Sequence, residues 1–207
     1  MKNLLLFAVL VSLPLLLGGC DGDKKESTTE TKFAEEAPVN LIKYEIKGDA
    51  VTITGCDKSA SGKLVIPVTI EGKSVTRIGA EAFENCIHLR SITIPKSVTS
   101  IGAKAFSGCT SLTSITIPDS VTSIGKEAFS QCSNLTSITI PDGVTSIGQW
   151  TFAGCSSLAA VTFLGDAPNA GKEVFNDATP TIYRKPEAKG WGDTFGGRPV
   201  KLISEKP

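Results

Sequence analysis

Apolar residues recur through the middle of the chain at a fixed spacing of 23 positions. Phenylalanine and cysteine mark the same places in each unit, and the two series are Phe83, Phe106, Phe129, Phe152, Phe175 and Cys86, Cys109, Cys132, Cys155. The units run 78–100, 101–123, 124–146 and 147–169, and a degraded copy starts at residue 170. A constant period in this range indicates a solenoid, in which each unit forms one coil and stacks on the next.

Within one unit the pattern changes from alternation to clustering. Residues 115–117 (Ile-Thr-Ile) alternate and are β-branched at every position, which predicts a short strand with one buried face, and Pro118 ends its backbone pairing. We expect Gly125 to permit a tight or left-handed corner. The apolar group at 128–132 then predicts a short helical or 3-10 turn, before Leu135 opens the next strand.

These elements predict an α/β solenoid, a leucine-rich-repeat stack with one short strand and one short helical or 3-10 segment per 23-residue repeat. The leucine-rich core reads Leu112-x-x-Ile115-x-Ile117. The phrases IGAEAFENC, IGAKAFSGC and IGKEAFSQC, each followed by L-x-x-I-T-I-P-x-x-V-T, closely resemble the BspA-like leucine-rich repeat of bacterial surface proteins. The resemblance covers residues 64–175. It implies an interaction role, since BspA-like relatives include adhesins that engage host proteins.

The flanking segments resemble the ends of that family. Residues 41–77 are predicted to form an N-terminal β-hairpin, turning at Gly48-Asp49, and a first, irregular repeat with five extra residues. Residues 170–207 are predicted to hold the degraded repeat and a C-terminal cap, in which Trp191 covers the last coil. A solenoid needs such caps because its terminal coils would otherwise expose apolar surface.

The start of the chain resembles an export signal. Residues 1–19 combine Lys2 with a short apolar run, which predicts a signal peptide that is removed. Leu17-Gly18-Gly19-Cys20 resembles the lipobox of bacterial lipoproteins, which implies a lipid on Cys20; an ordinary signal peptide with an accidental cysteine is the alternative. Residues 20–40 are rich in charge, Ser and Thr and are predicted to be a flexible tether. The predicted segments are therefore 1–19, 20–40, 41–77, 78–169 and 170–207.

Charge and side-chain chemistry exclude several function classes. The chain carries 21 Lys and Arg and 21 Asp and Glu with no basic run, so the electrostatic footprint of a nucleic-acid binder is missing. The single histidine, His88, falls at an expected exposed corner without a carboxylate or cysteine partner at useful spacing, and no Ser-His-Asp set can be assembled. We therefore predict that the protein is not an enzyme, needs no cofactor and has no small-molecule substrate.

The cysteine series admits more than one interpretation. Stacked coils place these residues in a row inside the core, which favours free buried thiols acting as small hydrophobic side chains. Disulfide bonds between coils are the alternative, because exported proteins often contain them and stacked strands lie about 4.8 Å apart. A zinc site is not expected, since an evenly spaced row of sulfurs does not converge on one ion.

The outward strand positions carry small hydroxyl side chains. These are the candidate partner-binding residues, namely Ser91, Thr93, Ser114, Thr116, Ser137, Thr139 and Thr162. Solenoids commonly bind through such a face, but these rows lack the Trp, Tyr and Arg anchors that dominate binding energies, so a solvated sheet without a ligand stays open. Trp150 is a further candidate, which either packs against the C-terminal cap or marks a separate contact site.

The predicted function is a non-catalytic, membrane-anchored lipoprotein that presents its solenoid for protein–protein interaction, adhesin-like at the cell surface. The alternative is a structural or envelope-scaffolding lipoprotein without an external ligand. We expect a monomer with a lipid anchor in a bacterial membrane and a protein partner of unknown identity. The outer membrane or cell surface is favoured over the inner membrane, because the repeat family is found there.

Overall fold

The computed structural model describes residues 41–206, which form a β-solenoid of about six turns. The predicted signal peptide 1–19, the predicted lipidation site Cys20, the tether up to residue 40 and the last residue of segment 170–207 lie outside the described residues. No helix in this part of the chain is long and apolar enough to span a bilayer. The elements are β1 (Ile42–Lys47), β2 (Ala50–Cys56), β3 (Gly62–Val65), β4 (Thr69–Ile70), β5 (Lys73–Ile78), β6 (Leu89–Thr93), β7 (Ser100–Ile101), β8 (Ser114–Thr116), β9 (Ser123–Ile124), β10 (Ser137–Ile140), β11 (Ser146–Ile147), β12 (Ala160–Phe163), β13 (Asn169–Ala170), β14 (Thr181–Arg184), β15 (Thr194–Phe195), β16 (Arg198–Leu202) and a 3-10 turn at Ile203–Glu205.

Each coil has three sides, and two of them are parallel sheets. The strand face consists of β3-β6-β8 followed by β10-β12-β14-β16, with β8 in contact with β10. The second side is formed by the short strands β7, β9, β11 and β13, and β5 and β2 extend this sheet toward the N-terminus. The third side, called the turn side below, consists of residues 80–86, 103–109, 126–132, 149–155 and 172–178.

Residues one period apart stack directly, so like side chains meet across neighbouring coils. The strand register pairs Ile92 with Ile115 and Ile124 with Ile147. The repeated phenylalanines form a column of fully buried, nearly parallel rings, with neighbouring centroids 5.2 to 5.6 Å apart. Because every coil buries the same set of side chains, the core is one continuous cluster that reaches from Ile42 to Ile182.

The predicted helical segment in each repeat is wrong, because the turn side consists of turns in all of its described segments. Two residues per coil have positive φ, for example Glu127 at 56° and Gln131 at 61°, and a right-handed helix does not accommodate them. Alternate N–H groups donate to the next coil, as Phe106 does to the Ala128 carbonyl at 2.8 Å, instead of to the preceding helical turn. The apolar spacing at 128–132 fits a helix face and a stacked turn equally well.

Of the two expected roles of Gly125, the left-handed corner is wrong, whereas a tight turn does begin there, with the Ala128 N–H donating to the Gly125 carbonyl at 3.3 Å. Gly125 is not among the residues with positive φ. A Cβ atom there would lie 2.6 Å from the backbone nitrogen of Ala103 in the preceding coil, and Gly102 is crowded in the same way by Ala80. The recurring glycine is therefore required for close backbone approach between coils and not for a left-handed corner.

Many hydroxyl side chains connect neighbouring coils, which explains why the repeat is rich in Ser and Thr. The hydroxyl of Thr122 donates to the Thr99 carbonyl at 3.3 Å, and that of Thr145 donates to the Thr122 carbonyl at the same distance. Ser120 donates likewise to the carbonyl of Val98. These bonds add donors to backbone carbonyls at the corners that directly precede the short strands.

The N-terminal end is irregular and contains two hairpins. β1 and β2 pair in antiparallel fashion about the predicted turn at Gly48-Asp49. The extra residues of the first repeat form a second hairpin, β4–β5, whose turn residues Glu71 and Gly72 have φ of 52° and 72°. Positive φ at both central residues is typical of the tight turns in hairpins with a two-residue loop. The Tyr44 hydroxyl donates to the Glu71 carboxylate at 2.7 Å and joins the two hairpins.

The C-terminal end is covered by an aromatic cluster. Phe195 packs edge-on against Phe163 and against Phe175, the last ring of the column, with centroid distances of 5.2 and 6.4 Å. Trp191 packs against Phe163 and Phe195 at 4.9 and 5.1 Å. Nη2 of Arg198 donates to the Phe175 carbonyl at 3.0 Å. Together these contacts take the place of a further coil.

Candidate partner-binding surface

The strand face arranges the predicted hydroxyl residues in two rows. Strand register aligns the serine row, Ser91 with Ser114 and then Ser137 with Ala160, and the threonine row, Thr93 with Thr116 and then Thr139 with Thr162. They point away from the core because successive side chains on a strand alternate and the intervening isoleucines are buried.

Exposure differs along the two rows. Most of their members are exposed, namely Thr93, Ser114, Thr116, Ser137 and Thr139, whereas Ser91 is half-buried. Thr162 is buried at 4% exposure, because Nζ of Lys206 donates to its hydroxyl at 3.2 Å and Lys206 also lies over the Tyr183 ring. The accessible part of the rows therefore extends from β6 to β10, and the C-terminal segment covers the next position.

A groove of about 660 Å³ lies beside the start of the threonine row. Its lining residues are Val68, Thr93, Ile94, Pro95, Lys96, Thr116, Ile117, Pro118, Asp119 and Ser120. The side chain of Val68 is 60% exposed and contributes apolar surface to the groove. Sequence reasoning did not identify this residue. The available signal was that Val68 is an apolar residue within the extra residues of the first repeat, where no core position requires one. The structure thus adds an apolar groove to the predicted hydroxyl rows.

Trp150 lies on the turn side and contacts neighbouring coils. Its Nε1 donates to the Glu173 carboxylate, and Nζ of Lys126 lies 4.9 Å from its ring centroid. It borders a small depression of about 180 Å³, also lined by Glu127, Ser130, Ala153 and Asn176. The rows and Trp150 lie on different sides of the coil, so the structure does not bring them into one site.

The last three thiols of the cysteine series are buried and poor nucleophiles in the folded protein. Cys109, Cys132 and Cys155 are free thiols with 0% exposure. Burial raises the pKa of Cys109 and of Cys155 to about 12, and the pKa of Cys132 well above its usual value of 9.0. Since the thiolate is the nucleophile and metal ligand, these cysteines serve core packing.

The strand face offers hydrogen bonds and apolar contact. One cation, Lys96, and one carboxylate, Asp119, line the groove, so its local charge is balanced. His88 is exposed on another part of the coil. Among residues 41–206, no group of three or more His, Cys, Asp and Glu side chains is placed to hold a metal ion. This chemistry suits contact with another macromolecule.

The repeat frame agrees with a known family model. The model describes the BspA type leucine rich repeat region and matches six copies over residues 63–181, which is more than half of the chain. The chain belongs to the BspA-type leucine-rich repeat family. The match includes the irregular first repeat and part of the degraded last one, so the BspA-type frame extends beyond the four regular units. The resemblance carried by the repeat phrases is confirmed.

Solved structures of bacterial leucine-rich repeat proteins resemble this BspA-type solenoid. The T. pallidum leucine-rich repeat protein is 30% identical, with a TM-score of 0.65 over 72% of this chain and 71% of that chain. A leucine-rich repeat protein from Bacteroides capillosus is 30% identical, with a TM-score of 0.52 over 61% of this chain and 96% of that chain. The pneumococcal vaccine antigen PcpA is 21% identical, with a TM-score of 0.50 over 71% and 49%, and shares the fold alone. No match was found among the curated proteins.

Proposed function

We propose that this BspA-type protein is a non-catalytic, lipid-anchored surface protein that binds a protein partner through its strand face, in the manner of an adhesin. The observation that carries the proposal is the groove of about 660 Å³, which exposed Val68 lines together with Thr93 and Thr116. An exposed apolar side chain at a concave surface is typical of an interaction site. The hydroxyl rows that continue from the groove supply hydrogen bonds that orient a partner.

The chemistry of this surface supports a protein partner in preference to other ligands. Nucleic acid would require a basic stripe, whereas the groove balances Lys96 against Asp119. A glycan would favour stacking aromatic rings, and the exposed rows consist of Ser and Thr. Small uncharged groups spread over three coils suit the broad, shallow contact that two proteins make.

The proposed location rests on the family and on the start of the chain. BspA-like repeats are found in bacterial surface proteins, and Leu17-Gly18-Gly19-Cys20 resembles a lipobox. We expect the wild-type protein to enter the detergent phase on phase partitioning, and Cys20→Ser to stay in the aqueous phase. An N-terminal peptide that begins at Cys20 without acyl mass would overturn the anchor while leaving the binding proposal intact.

The binding proposal is tested by lesions on the strand face. Thr116→Arg combined with Thr139→Arg adds bulky charge to the threonine row, and Val68→Asp places a charge in the groove. Gln131→Arg is the matched control, because Gln131 is exposed on the turn side of the same region. A panel of extracellular-matrix and serum proteins is screened with the wild type, and dissociation constants are then compared. We expect at least a tenfold loss for both strand-face lesions, equivalent to about 1.4 kcal/mol, and little change for the control.

Other outcomes assign the protein to the alternatives. Capture of the cell's own envelope components alone, insensitive to the threonine-row lesion, would favour the envelope-scaffolding function. Loss of binding with Trp150→Ala alone would place the contact on the turn side. Equal losses with Gln131→Arg and the strand-face lesions would contradict a defined binding face.

A further inference from the structure

The cysteine column changes its chemistry at its N-terminal end. In the regular coils each thiol donates to a phenylalanine carbonyl of the preceding coil, and the pairs are Cys109 with Phe83 (3.1 Å), Cys132 with Phe106 (3.2 Å) and Cys155 with Phe129 (3.0 Å). Cys86 is the first member of the column, and the coil before it carries no phenylalanine at the repeat position. The first thiol therefore meets a different partner.

That partner is Cys56, which ends β2 and lies 30 residues before Cys86, outside the period of the repeat. The Gly62 N–H donates to the His88 carbonyl at 3.0 Å, and Nζ of Lys58 donates to the Glu84 carbonyl, so the segment that follows β2 lies against the residues on either side of Cys86. The thiol groups of Cys56 and Cys86 are neighbours, and each affects the ionisation of the other. Both are buried, with exposed fractions of 6% and 0%.

The surroundings of the pair favour ionisation of Cys86. The hydrogen bond from Cys56 lowers the pKa of Cys86, and the positive charge of Lys58 acts in the same direction. Nζ of Lys58 donates to the Glu84 carbonyl, which holds the cation close to the pair. The same thiol contact, together with burial, raises the pKa of Cys56. A thiol with a lowered pKa beside a second thiol is the starting arrangement for thiol–disulfide exchange.

We propose that Cys56 and Cys86 form a disulfide bond under oxidising conditions, while Cys109, Cys132 and Cys155 remain thiols. In the structure all five are free thiols, and the side chains of Cys56 and Cys86 interact with each other. The other column members direct their S–H groups to backbone carbonyls. The disulfide bond would link the N-terminal hairpin covalently to the first regular coil.

The reaction requires an oxidant, which we assign to the class of disulfides, either a low-molecular-weight disulfide or a disulfide oxidoreductase. The Cys86 thiolate attacks one sulfur of the oxidant, forms a mixed disulfide and releases one reduced thiol. Cys56 then loses its proton and attacks the Cys86 sulfur, which releases the second reduced thiol. Two protein thiols are oxidised to one disulfide, and one oxidant disulfide is reduced to two thiols.

The bond would stabilise the part of the solenoid that has neighbours on one side alone. Terminal coils of a solenoid contact a single neighbour and are where opening begins. Closing the 30-residue loop between Cys56 and Cys86 restricts the unfolded chain. The oxidised protein should therefore resist unfolding from its N-terminal end better than the reduced protein.

Peptide mapping tests the pairing directly. The full chain is reduced, freed of reductant, incubated with oxidised glutathione, alkylated in denaturant and digested with trypsin. Cys56 and Cys86 fall in separate peptides, 48–58 and 78–90, whereas the remaining column cysteines fall in 105–126 and 127–172. We expect a linked species of 48–58 with 78–90 and alkylated Cys109, Cys132 and Cys155. Alkylation of Cys56 and Cys86 together with the other three, or a link from Cys86 to Cys109, would overturn the proposal.

Thermal unfolding with and without reductant provides the second measurement. The wild-type Tm should be about 5–10 °C higher after oxidation, as expected for a loop of this size in a protein of this length. Cys56→Ser should abolish that difference. Cys109→Ser is the matched control and should keep it, because Cys109 lies one coil further along the same column. A redox-dependent shift that survives in Cys56→Ser would contradict the assigned pair.

Discussion

The regular coils and the two ends of this molecule solve the same packing problem in different ways. In the coils, one set of contacts recurs at each period, so Phe129 lies between Phe106 and Phe152 in rings that are nearly parallel. At the C-terminal end the ring of Phe195 instead meets Phe175 edge-on. A repeated sequence supplies its own complementary surface, whereas an end has no copy of itself to contact and needs different residues.

The phenylalanine carbonyls show the same contrast at the level of single hydrogen bonds. Inside the stack, the Phe106 carbonyl accepts a hydrogen bond from the Cys132 thiol of the next coil. At the C-terminal end, the Phe175 carbonyl accepts a hydrogen bond from Nη2 of Arg198. The acceptor is the same and the donor changes from a small buried thiol to a long charged side chain that reaches from the cap. The backbone acceptors at an end of the solenoid therefore find donors in residues that are not part of the repeat.

The largest expected difference between coils and ends concerns the phenylalanine column. Phe129→Ala should lower the free energy of unfolding by about 3–5 kcal/mol, because a fully buried ring with a ring on each side is lost. Phe195→Ala should cost about half as much or less, since Phe195 is half-buried. Urea denaturation of the two variants measures this, and equal costs would contradict the stronger dependence of the coils on their column.

Glycine substitutions should show a smaller difference in the same direction. Gly125→Ala forces a Cβ to 2.6 Å from the backbone of the preceding coil and should cost about 2–3 kcal/mol through overpacking. Gly48→Ala in the N-terminal hairpin places its Cβ in open space at φ of 61° and should cost about 1 kcal/mol from backbone strain alone. Thermal denaturation of both variants is the measurement. A cheaper Gly125→Ala would mean that the coils separate readily.

The smallest effect is a pH dependence that comes from the coils. The pKa of Cys109 is raised to about 12 in the folded protein from an ordinary 9.0, so its thiol stays neutral there while it ionises in the unfolded chain. The stability it contributes is present below pH 9 and is lost as the pH rises toward 12. Between pH 9 and 10 we expect a loss of about 1 kcal/mol per buried thiol.

Cys109→Ala separates this effect from general alkaline destabilisation. Over the same pH interval the free energy of unfolding of the variant should fall less than that of the wild type. The difference should equal the contribution of one buried thiol, measured by urea titration at each pH. Identical pH dependence in the two proteins would show that Cys109 is not held neutral in the folded state.

Sequence reasoning predicted the strand sides well because their physical rules are local. The alternation at Ile115 and Ile117 defines one buried face, and a fixed period places each residue over its counterpart. The helix was predicted wrongly because apolar residues at 128, 129 and 132 fit the buried face of a helix and also that of a stacked turn. The left-handed positions that exclude a helix are held by Lys104 and Glu127, which give no sequence signal for positive φ.

The candidate surface was predictable only where it repeats. The hydroxyl rows follow from strand alternation, whereas the burial of Thr162 depends on Lys206, 44 residues further along the chain. The groove depends on Val68, whose position is determined by how the extra residues of the first repeat turn at Glu71-Gly72. Contacts made by the ends therefore required the structure.

The register of the short strands has a consequence for how the chain can change in length. Because Ile147 lies directly over Ile124, removal of residues 124–146 would join Ser123 to Ile147 and recreate the contacts of the lost unit. An added copy would be accommodated in the same way, between ends that need no alteration. The caps specify where the solenoid begins and ends, and the number of units between them is free to vary by whole copies.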